Sequence, residues 1–599
     1  MDIDALLASL PARISDIPRR WSALAPDAPA LSEAMLATPP GAAAGAGSDG
    51  RGASTSGTGT EARGASAAGG GDGAETAVAP QRRIWTYGEL VAAVDAAAER
   101  LRALGLRPGD RLMVVAENSV AQVALIFAAA SMDAWIVNAN SRLSAREIDQ
   151  FREHAGARRV IYCSGVSPEA AAHGERHGAQ REHWLFGEWM IGPLNDSPAA
   201  APEPVASGAD FSARQPAALI YTTGTTGQSK GVMLSHRNLL FIAAVSSTLR
   251  GLTPADRAYG VLPISHVYGL ASVMLGTLYA GACLHLQPRF AVDALLHALR
   301  DEHLTILQGV PAMYARLLEA VGQQDGATLR TSLRFAYAGG SPLDPVLKRQ
   351  VEALLGQPLH NGYGMTESSP TISQTRLDAP RDDTSVGYAI PGVETRLVAA
   401  AGAPAQAGAV SASSAHGGGG EASPSQIATG ELWVHGPNVM LGYYKEPALT
   451  AAAIDADGWL NTGDVARQAP DGALFIVGRT KELIIRSGFN VYPLEVETVL
   501  NAHPAVAQSA VVGRPAPDGN EEVIAYVELD PRHAASGTGQ ELIAELHAHL
   551  AASLSPYKCP TEIIPMQALP AAATGKILKG QLRQLAQAQQ LAHTTETKK

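Results

Sequence analysis

The strongest constraint on this chain is a repeated exchange between helical and β-branched apolar runs. Thr86 and Glu89 have the spacing of a capping box. Behind them Leu90, Val94, Ala97, Leu101 and Leu104 recur along one helical face, and Gly105 supplies a stop. A strand-like "RLMVVA" follows, then a helix-like "VAQVALIFAAASM", then "WIVNAN". A second capping box, Ser144 to Glu147, precedes the strand-like "RRVIYC". The exchange resumes after Ala217 and runs to "PLHNGYGMTE". Strands that alternate with helices predict an α/β protein with a mainly parallel sheet. After Leu483 the texture changes to shorter strands, "SAVVGRP" and "VIAYVEL", and a helix "ELIAELHAHLAASL". That change predicts a small α+β unit at the C-terminal end.

Two segments break the pattern, at about 41–80 and about 399–426. Both are rich in Gly, Ala and Ser and nearly lack large apolar residues. They bury too little to offset the entropy of ordering, so flexible surface loops are expected. The first interrupts a strand pair, "PALS" and "RRIWTY"; the second lies between "ETRLV" and "GELWVHG". Hairpin tips accept such insertions because closure entropy grows only with the logarithm of length.

Of the 599 residues, 46% are hydrophobic and 17% charged, enough for a large core. A net charge of −11 argues against a nucleic-acid surface, which is basic. Cys163, Cys283 and Cys559 lie far apart and suggest no disulfide framework, so a reducing cytoplasm is the expected setting. The opening "MDIDALLASLPARISDIPRRW" has acids where a signal peptide has bases. No apolar run approaches the roughly 20 residues of a membrane span.

One passage, "IYTTGTTGQSKGVMLSH" (220–236), sets Thr222, Thr223, Gly224, Thr225, Thr226, Gly227 and Lys230 between two apolar runs. Glycines let backbone N–H groups approach an anion, threonine hydroxyls add donors, and lysine adds charge. That is the composition of a phosphate-holding loop. It is not a Walker loop: the sixth position from Gly224 is Ser229, and Lys230 is followed by Gly231. Taken alone, the passage is equally compatible with an ordinary Gly/Ser/Thr turn.

The passage resembles the signature loop of the adenylate-forming (AMP-binding) superfamily, Y-T-S-G-T-T-G-x-P-K-G, with Thr223 for Ser and Ser229 for Pro. Further matches follow in the family's order: "LPISHVYG" (262–269), "NGYGMTES" (361–368), "GELWVHGPNVMLGYY" (430–444), "WLNTGDVA" (459–466), "GRTKELIIRSGFNVYPLEVE" (478–497) and "LPAAATGKILKGQL" (569–582). Together they cover nearly the whole chain outside the two loops. The resemblance is to the acyl-CoA synthetase, fatty-acid–CoA ligase branch. It implies a large N-terminal domain, residues 1–480, of mainly parallel sheets flanked by helices with a small β-barrel-like subdomain. It also implies a small mobile α+β C-terminal domain, residues 481–599, hinged at Lys481.

The residue roles come from the same resemblance, and each has a physical reading beside it. Residues 222–231 hold the β- and γ-phosphates of ATP. Tyr363 offers a flat ring to a purine, Thr366 a hydroxyl to a phosphate, and Glu367 a hard oxygen ligand to Mg²⁺. Asp464 accepts from the ribose hydroxyls, assisted by Arg479. Gly340, Ser341, Asn361, Gly362 and Gly364 complete the nucleotide pocket. Lys576 meets the charge that develops as carboxylate and α-phosphorus join. His266 joins Lys576, Thr366 and Glu367 in the catalytic set as a wall or gate residue, with no acid–base work. Gly488 lies where the pantetheine arm passes, and Lys558 touches a phosphate of CoA.

The implied reaction is two-step: acyl-AMP and pyrophosphate form first, and the CoA thiolate then takes the acyl group. ATP, Mg²⁺ and CoA are the expected cofactors, and a small carboxylic acid the expected partner. A medium- or long-chain fatty acid is placed first and an aryl acid, benzoate- or cinnamate-like, second. An acyl-AMP ligase that hands its adenylate to an acyl carrier protein is the remaining alternative. The segment "ISHVYGLAS" holds no acid to pair an α-amine, and no carrier domain follows the lysine motif, which argues against amino-acid activation. His266, Tyr268, Gly269, Gln308, Tyr337, Gly339 and Gly340 are the expected acyl-pocket residues. No nucleic-acid or integral membrane contact is expected, and a homodimer is left open.

Overall fold

The computed structural model describes residues 1–34, 82–223, 229–322, 328–399, 428–486, 489–516, 521–530, 539–571 and 577–596. Of the two inserted segments only residue 399 is among them. Gly224, Thr225, Thr226, Gly227, Gly488 and Lys576 lie outside the described residues.

Two large sheets form the body of the chain. Among the described residues the first has nine strands, in the order Tyr388–Ala389, Thr371–Gln374, Leu359–Gly364, Phe335–Ala338, Ile306–Gly309, Arg257–Gly260, Cys283–Leu286, Pro29–Ala34 and Arg82–Thr86. Its middle is parallel and both ends are antiparallel. The second has eight: Gly442–Tyr443, Ser229–Ser235, Pro216–Thr223, Trp135–Asn140, Arg111–Ala116, Arg159–Tyr162, Gly187–Ile191 and Gln180–Trp184. It too is parallel at the centre and antiparallel at the rims. The mainly parallel sheets expected from alternation are therefore the two centres; hairpins finish the edges, where no crossover helix is needed.

Both expected capping boxes form. Thr86 and Glu89 open the helix Tyr87–Ala103, and Ser144 and Glu147 open Ala145–Ala155. Leu90, Val94, Ala97 and Leu101 are buried as the spacing required. The helix Val120–Ser131 is apolar on all sides and buries every residue from Val120 to Ala130, as a helix enclosed by protein must.

The strand pairs that flank the inserted segments also form. Pro29–Ala34 runs antiparallel to Arg82–Thr86, and Glu394–Val398 antiparallel to Ala428–His435. The second pair belongs to a four-stranded antiparallel sheet completed by Leu460–Gln468 and Leu474–Arg479, a small all-β unit within the large domain.

Beyond Lys481 a three-stranded sheet, Val506–Pro515, Glu521–Leu529 and Glu562–Met566, carries a core on each face. Val511, Val523, Ala525 and Val527 pack with Val496, Leu500, Leu546 and Leu550 of two helices. Ala510, Val512, Ile524 and Tyr526 pack on the other face with Leu582 and Ala586. The strict alternation along the strands sends successive side chains to opposite faces, so this unit is buried on both sides.

Candidate active site

The strands that carry Thr222, Thr223 and Lys230, on either side of residues 224–228, form an antiparallel pair. Pro216–Thr223 pairs antiparallel with Ser229–Ser235, placing Thr222 opposite Lys230 and Thr223 opposite Ser229. The helix His236–Leu249 begins only after the second strand. A loop in this position has no helix N-terminus aimed at an anion, unlike a Walker loop.

Lys230 leads directly to the acidic candidate. Its Nζ lies 4.9 Å from the ring centroid of Tyr443, within cation–π range. The Tyr443 hydroxyl donates to Glu367 Oε1 at 2.8 Å, and the Met440 N–H donates to the Glu367 carbonyl at 2.9 Å. Burial and the neighbouring Glu367 push the Tyr443 phenol up, so it stays a donor. Tyr443 is a residue the sequence reading passed over, although it stands in the quoted run "NVMLGYY". Its strand, Gly442–Tyr443, pairs with Ser229–Ser235, which brings three distant motifs together.

Glu367 follows a strand that carries the remaining nucleotide candidates. Leu359–Gly364 holds Asn361, Gly362, Tyr363 and Gly364, and Thr366, buried, opens the turn Thr366–Ser368. The Asn361 amide donates to the carbonyls of Thr384 and Ser385 at 3.1 and 3.2 Å. Gly362 is dictated by crowding: a Cβ there would lie 1.8 Å from the Tyr337 hydroxyl.

Tyr363, Asp464 and Arg479 form one cluster. The Tyr363 hydroxyl donates to Asp464 Oδ2, and Arg479 Nε lies 3.0 Å from Asp464 Oδ1. Asp464 and Arg479 are direct cross-strand partners, so the pair is set by sheet register. Asp464 raises the Arg479 guanidinium above its ordinary value, and burial with Asp464 raises the Tyr363 phenol. Both carboxylate oxygens are engaged, one by the Tyr363 hydroxyl and one by Arg479.

His266 is exposed on the turn after strand Arg257–Gly260. Its N–H donates to the Pro263 carbonyl at 2.9 Å and its Nδ1 accepts from the Tyr268 N–H at 3.2 Å. Buried Asn118 braces the turn: its amide donates to Gly260 and Leu262, and its Oδ1 accepts from the Ile264 N–H at 2.8 Å. Behind the turn, residues 268–275 wind as a π-helix, which puts Tyr268 and Gly269 inside the protein. Tyr268 and Tyr337 stand 6.2 Å apart at 66°. A Cβ on Gly339 would lie 3.1 Å from one ring and 3.3 Å from the other. Gly340, at φ +85°, and Ser341 continue this strand end as an exposed loop.

The residues beyond 480 meet the Asp464–Arg479 cluster at one side, where Glu482 adds to the negative charge that raises Arg479. The Lys481 carbonyl accepts from Arg583 at 3.4 Å. Lys558 is ion-paired to Glu495 at 2.5 Å, beside the stacked rings of Tyr557 and Phe489.

Among the described residues no cluster of three metal-ligating side chains occurs. A lone protein carboxylate such as Glu367 suits Mg²⁺, which takes one or two carboxylates and draws its other ligands from phosphate and water. No helix among the described residues is long and apolar enough to cross a membrane.

Fold and site together define a nucleotide-handling α/β enzyme with a large body and a small C-terminal unit. Residues 66–444 match the family described as "AMP-binding enzyme", and residues 495–576 its "AMP-binding enzyme C-terminal domain". The chain belongs to this adenylate-forming superfamily, among its acyl- and aryl-CoA ligases. It is an acid–thiol ligase that works with ATP, Mg²⁺ and CoA. It is 34% identical to a feruloyl-CoA synthase of an Amycolatopsis species, over 85% of this chain and 95% of that protein. It is 31% identical to 4-coumarate–CoA ligase 2 of Oryza sativa subsp. japonica, over 84% and 87%. Among solved structures it is similar to o-succinylbenzoate CoA synthetase of Bacillus subtilis in complex with its acyl-adenylate intermediate. That match has 25% identity, covers 95% of this chain and 97% of the other, and gives a TM-score of 0.69.

Proposed function

We propose that the acid is an aryl carboxylic acid, of the benzoate or cinnamate kind. The sequence reading placed a fatty acid first; that order is now reversed. What supports the reversal is the ring pair Tyr268 and Tyr337, which stand 6.2 Å apart at 66° and both bear on Gly339, where a Cβ would meet them at 3.3 and 3.1 Å. A flat ring gains stacking and edge contacts against such walls. A flexible chain gains none of these and loses rotamer freedom on entry. The names of the relatives, feruloyl, 4-coumarate and o-succinylbenzoate ligases, support the same class.

In this reading a carboxylate oxygen attacks the α-phosphorus, pyrophosphate leaves, and the CoA thiolate then attacks the acyl carbon and expels AMP. Residues 222–231 hold the outer phosphates, with Lys230 as their fixed charge. Glu367, steadied by Tyr443, holds Mg²⁺, which neutralises phosphate charge. Thr366 donates to a phosphate. Asp464 and Arg479 take the ribose, and Tyr363 lies under the purine, with Asn361, Gly362, Gly364, Gly340 and Ser341 around it. His266 stands between acyl group and nucleotide. Lys576 meets the charge at phosphorus. The unit from residue 481 onward then turns about Lys481, and Gly488 and Lys558 serve the CoA step. A reducing compartment suits Cys163, Cys283 and Cys559, all of which are free thiols.

The test is exchange of labelled pyrophosphate into ATP together with CoA-dependent AMP release, over a panel of aryl and straight-chain acids. Aryl acids should rank first in kcat/KM. A panel led by fatty acids overturns the reading of the acid, and absence of exchange with every acid overturns adenylation itself.

A further inference from the structure

Arg250 follows the helix His236–Leu249 and is fully buried. Its Nη1 donates to Gln308 Oε1 at 2.7 Å and to the Ser272 carbonyl at 3.2 Å. Its guanidinium carbon lies 4.8 Å from the Tyr337 ring centroid. Arg250 also acts on the Tyr337 hydroxyl, opposing the rise that burial gives that phenol, but no group stands in good hydrogen-bond geometry to Arg250 Nε or Nη2, to Gln308 Nε2 or to the Tyr268 hydroxyl. A guanidinium taken out of water without a carboxylate, and with two N–H groups idle, is strongly unfavourable unless something else meets it.

The neighbours say where that partner comes from. Gln308 and Tyr337 are direct cross-strand partners in the first sheet, so they share a face. Tyr337 and Tyr268 are the rings that close on Gly339, and the Tyr337 hydroxyl abuts Gly362. The idle donors therefore lie against the ring pair proposed above to face the acid. A hydrocarbon end group pressed against them leaves every donor unpaired. An oxygen with free lone pairs satisfies them.

We infer that Arg250, with Gln308 and Tyr268, reads the far end of the acid and selects an aryl acid with a hydrogen-bond-accepting oxygen on its ring over the hydrocarbon counterpart. The inference rests on the aryl reading above and adds a specificity-determining residue to it. Arg250 is remote from every motif quoted from the sequence, and only burial and its idle N–H groups single it out.

The experiment compares two acids of matched size, 3-(4-hydroxyphenyl)propenoate and 3-(4-methylphenyl)propenoate, by kcat/KM for CoA-dependent AMP release. The intact enzyme should favour the hydroxyl acid by about tenfold or more, the range of a hydrogen bond to a charged group. Arg250→Met should bring the ratio to within about threefold of unity, the residue of neutral bonds left to Tyr268 and Gln308. Arg250→Lys should retain part of the preference, and Tyr268→Phe should give an intermediate ratio. A merely structural role for Arg250 would lower both rates and leave their ratio unmoved. A ratio near unity in the intact enzyme overturns the inference and leaves the aryl reading standing, as does a folded Arg250→Met variant that keeps the preference. If Arg250→Met does not fold, the intact enzyme and Tyr268→Phe decide by the same ratio. If neither aryl acid is turned over while a fatty acid is, the aryl reading fails first and this inference falls with it.

Discussion

Tyr443 donates its hydroxyl to Glu367 Oε1 at 2.8 Å, and Lys230 stands over the ring of the same tyrosine. One side chain thus ties the hairpin that flanks the phosphate loop to the carboxylate proposed for Mg²⁺. Tyr443→Phe keeps the ring and removes the bond. A hydrogen bond to a charged group contributes about 1.5–3 kcal/mol, so kcat/KM for MgATP should fall roughly tenfold or more. KM for the acid should hardly change. Steady-state kinetics at varied MgATP checks this; unchanged MgATP kinetics would reduce the Tyr443–Glu367 contact to packing.

Asp464 faces two donors of different strength, Tyr363 and Arg479. Arg479 meets Asp464 as an ion pair and is partly exposed, so solvent screens its Coulomb share, and the directed hydrogen bond on the carboxylate is the one from Tyr363. Asp464→Asn keeps the shape and removes the charge that both partners use and that the ribose hydroxyls use in the proposed reading. Its affinity for AMP, measured by calorimetry, should drop more than that of Tyr363→Phe, which loses one bond worth about 1–2 kcal/mol. Equal losses in the two variants would mean that the carboxylate serves the protein alone and not the nucleotide.

What was legible in the sequence follows from range. The capping boxes at Thr86 and Ser144 are local, spanning one helical turn, and they form. The strand pairs around the low-complexity segments were legible because both partners alternate and meet across a hairpin. The placing of Lys230 in the second strand of a hairpin was less so, since "SKGVMLS" is too short and mixed for periodicity to separate strand from helix. Tyr443 stands in a quoted motif but carries no local signal of its contact, and Arg250 carries no local signal at all. The first acts through a residue 76 positions earlier in the chain, and the second through idle N–H groups that only three-dimensional burial reveals. The antiparallel rims of both sheets likewise depend on which edge each late strand joins, a choice made by tertiary packing.

Gly362 and Tyr337 compete for one space. A Cβ at position 362 would lie 1.8 Å from the Tyr337 hydroxyl and 2.7 Å from the Ser373 carbonyl. Overpacking of this kind costs about 1–3 kcal/mol, so Gly362→Ala should lower the unfolding midpoint and weaken ATP binding. Tyr337→Phe removes the nearer atom. The double variant should recover part of the loss, leaving a residue from the Ser373 carbonyl, and a double-mutant cycle on melting temperature reads the coupling. Additive losses would show that the crowding at Gly362 does not involve the Tyr337 hydroxyl.

The buried histidines make stability depend on pH on the acid side. Burial lowers His236 to about 3 and His360 to about 4. His236 Nδ1 accepts from the Ile14 N–H at 3.3 Å, so a proton on that nitrogen would set donor against donor. Both rings stay neutral in the folded chain through mild acid, whereas in the unfolded chain they titrate near 6.5. Between these values the unfolded state binds more protons, and stability therefore rises with pH. The contribution is fully present above about pH 6.5 and is lost as pH falls toward the folded values. For His236 the loss by pH 5 is about 2 kcal/mol relative to neutral pH, from about 1.4 kcal/mol for each pH unit. His154 and His177, also lowered by burial, add the same sign. His236→Asn keeps an acceptor for Ile14 and does not titrate. Melting temperatures followed from pH 5 to pH 7.5, with proton uptake on unfolding measured alongside, should show a slope shallower by nearly one proton in this variant. An unchanged slope would mean that His236 is already charged in the folded chain, or that its ring is wet.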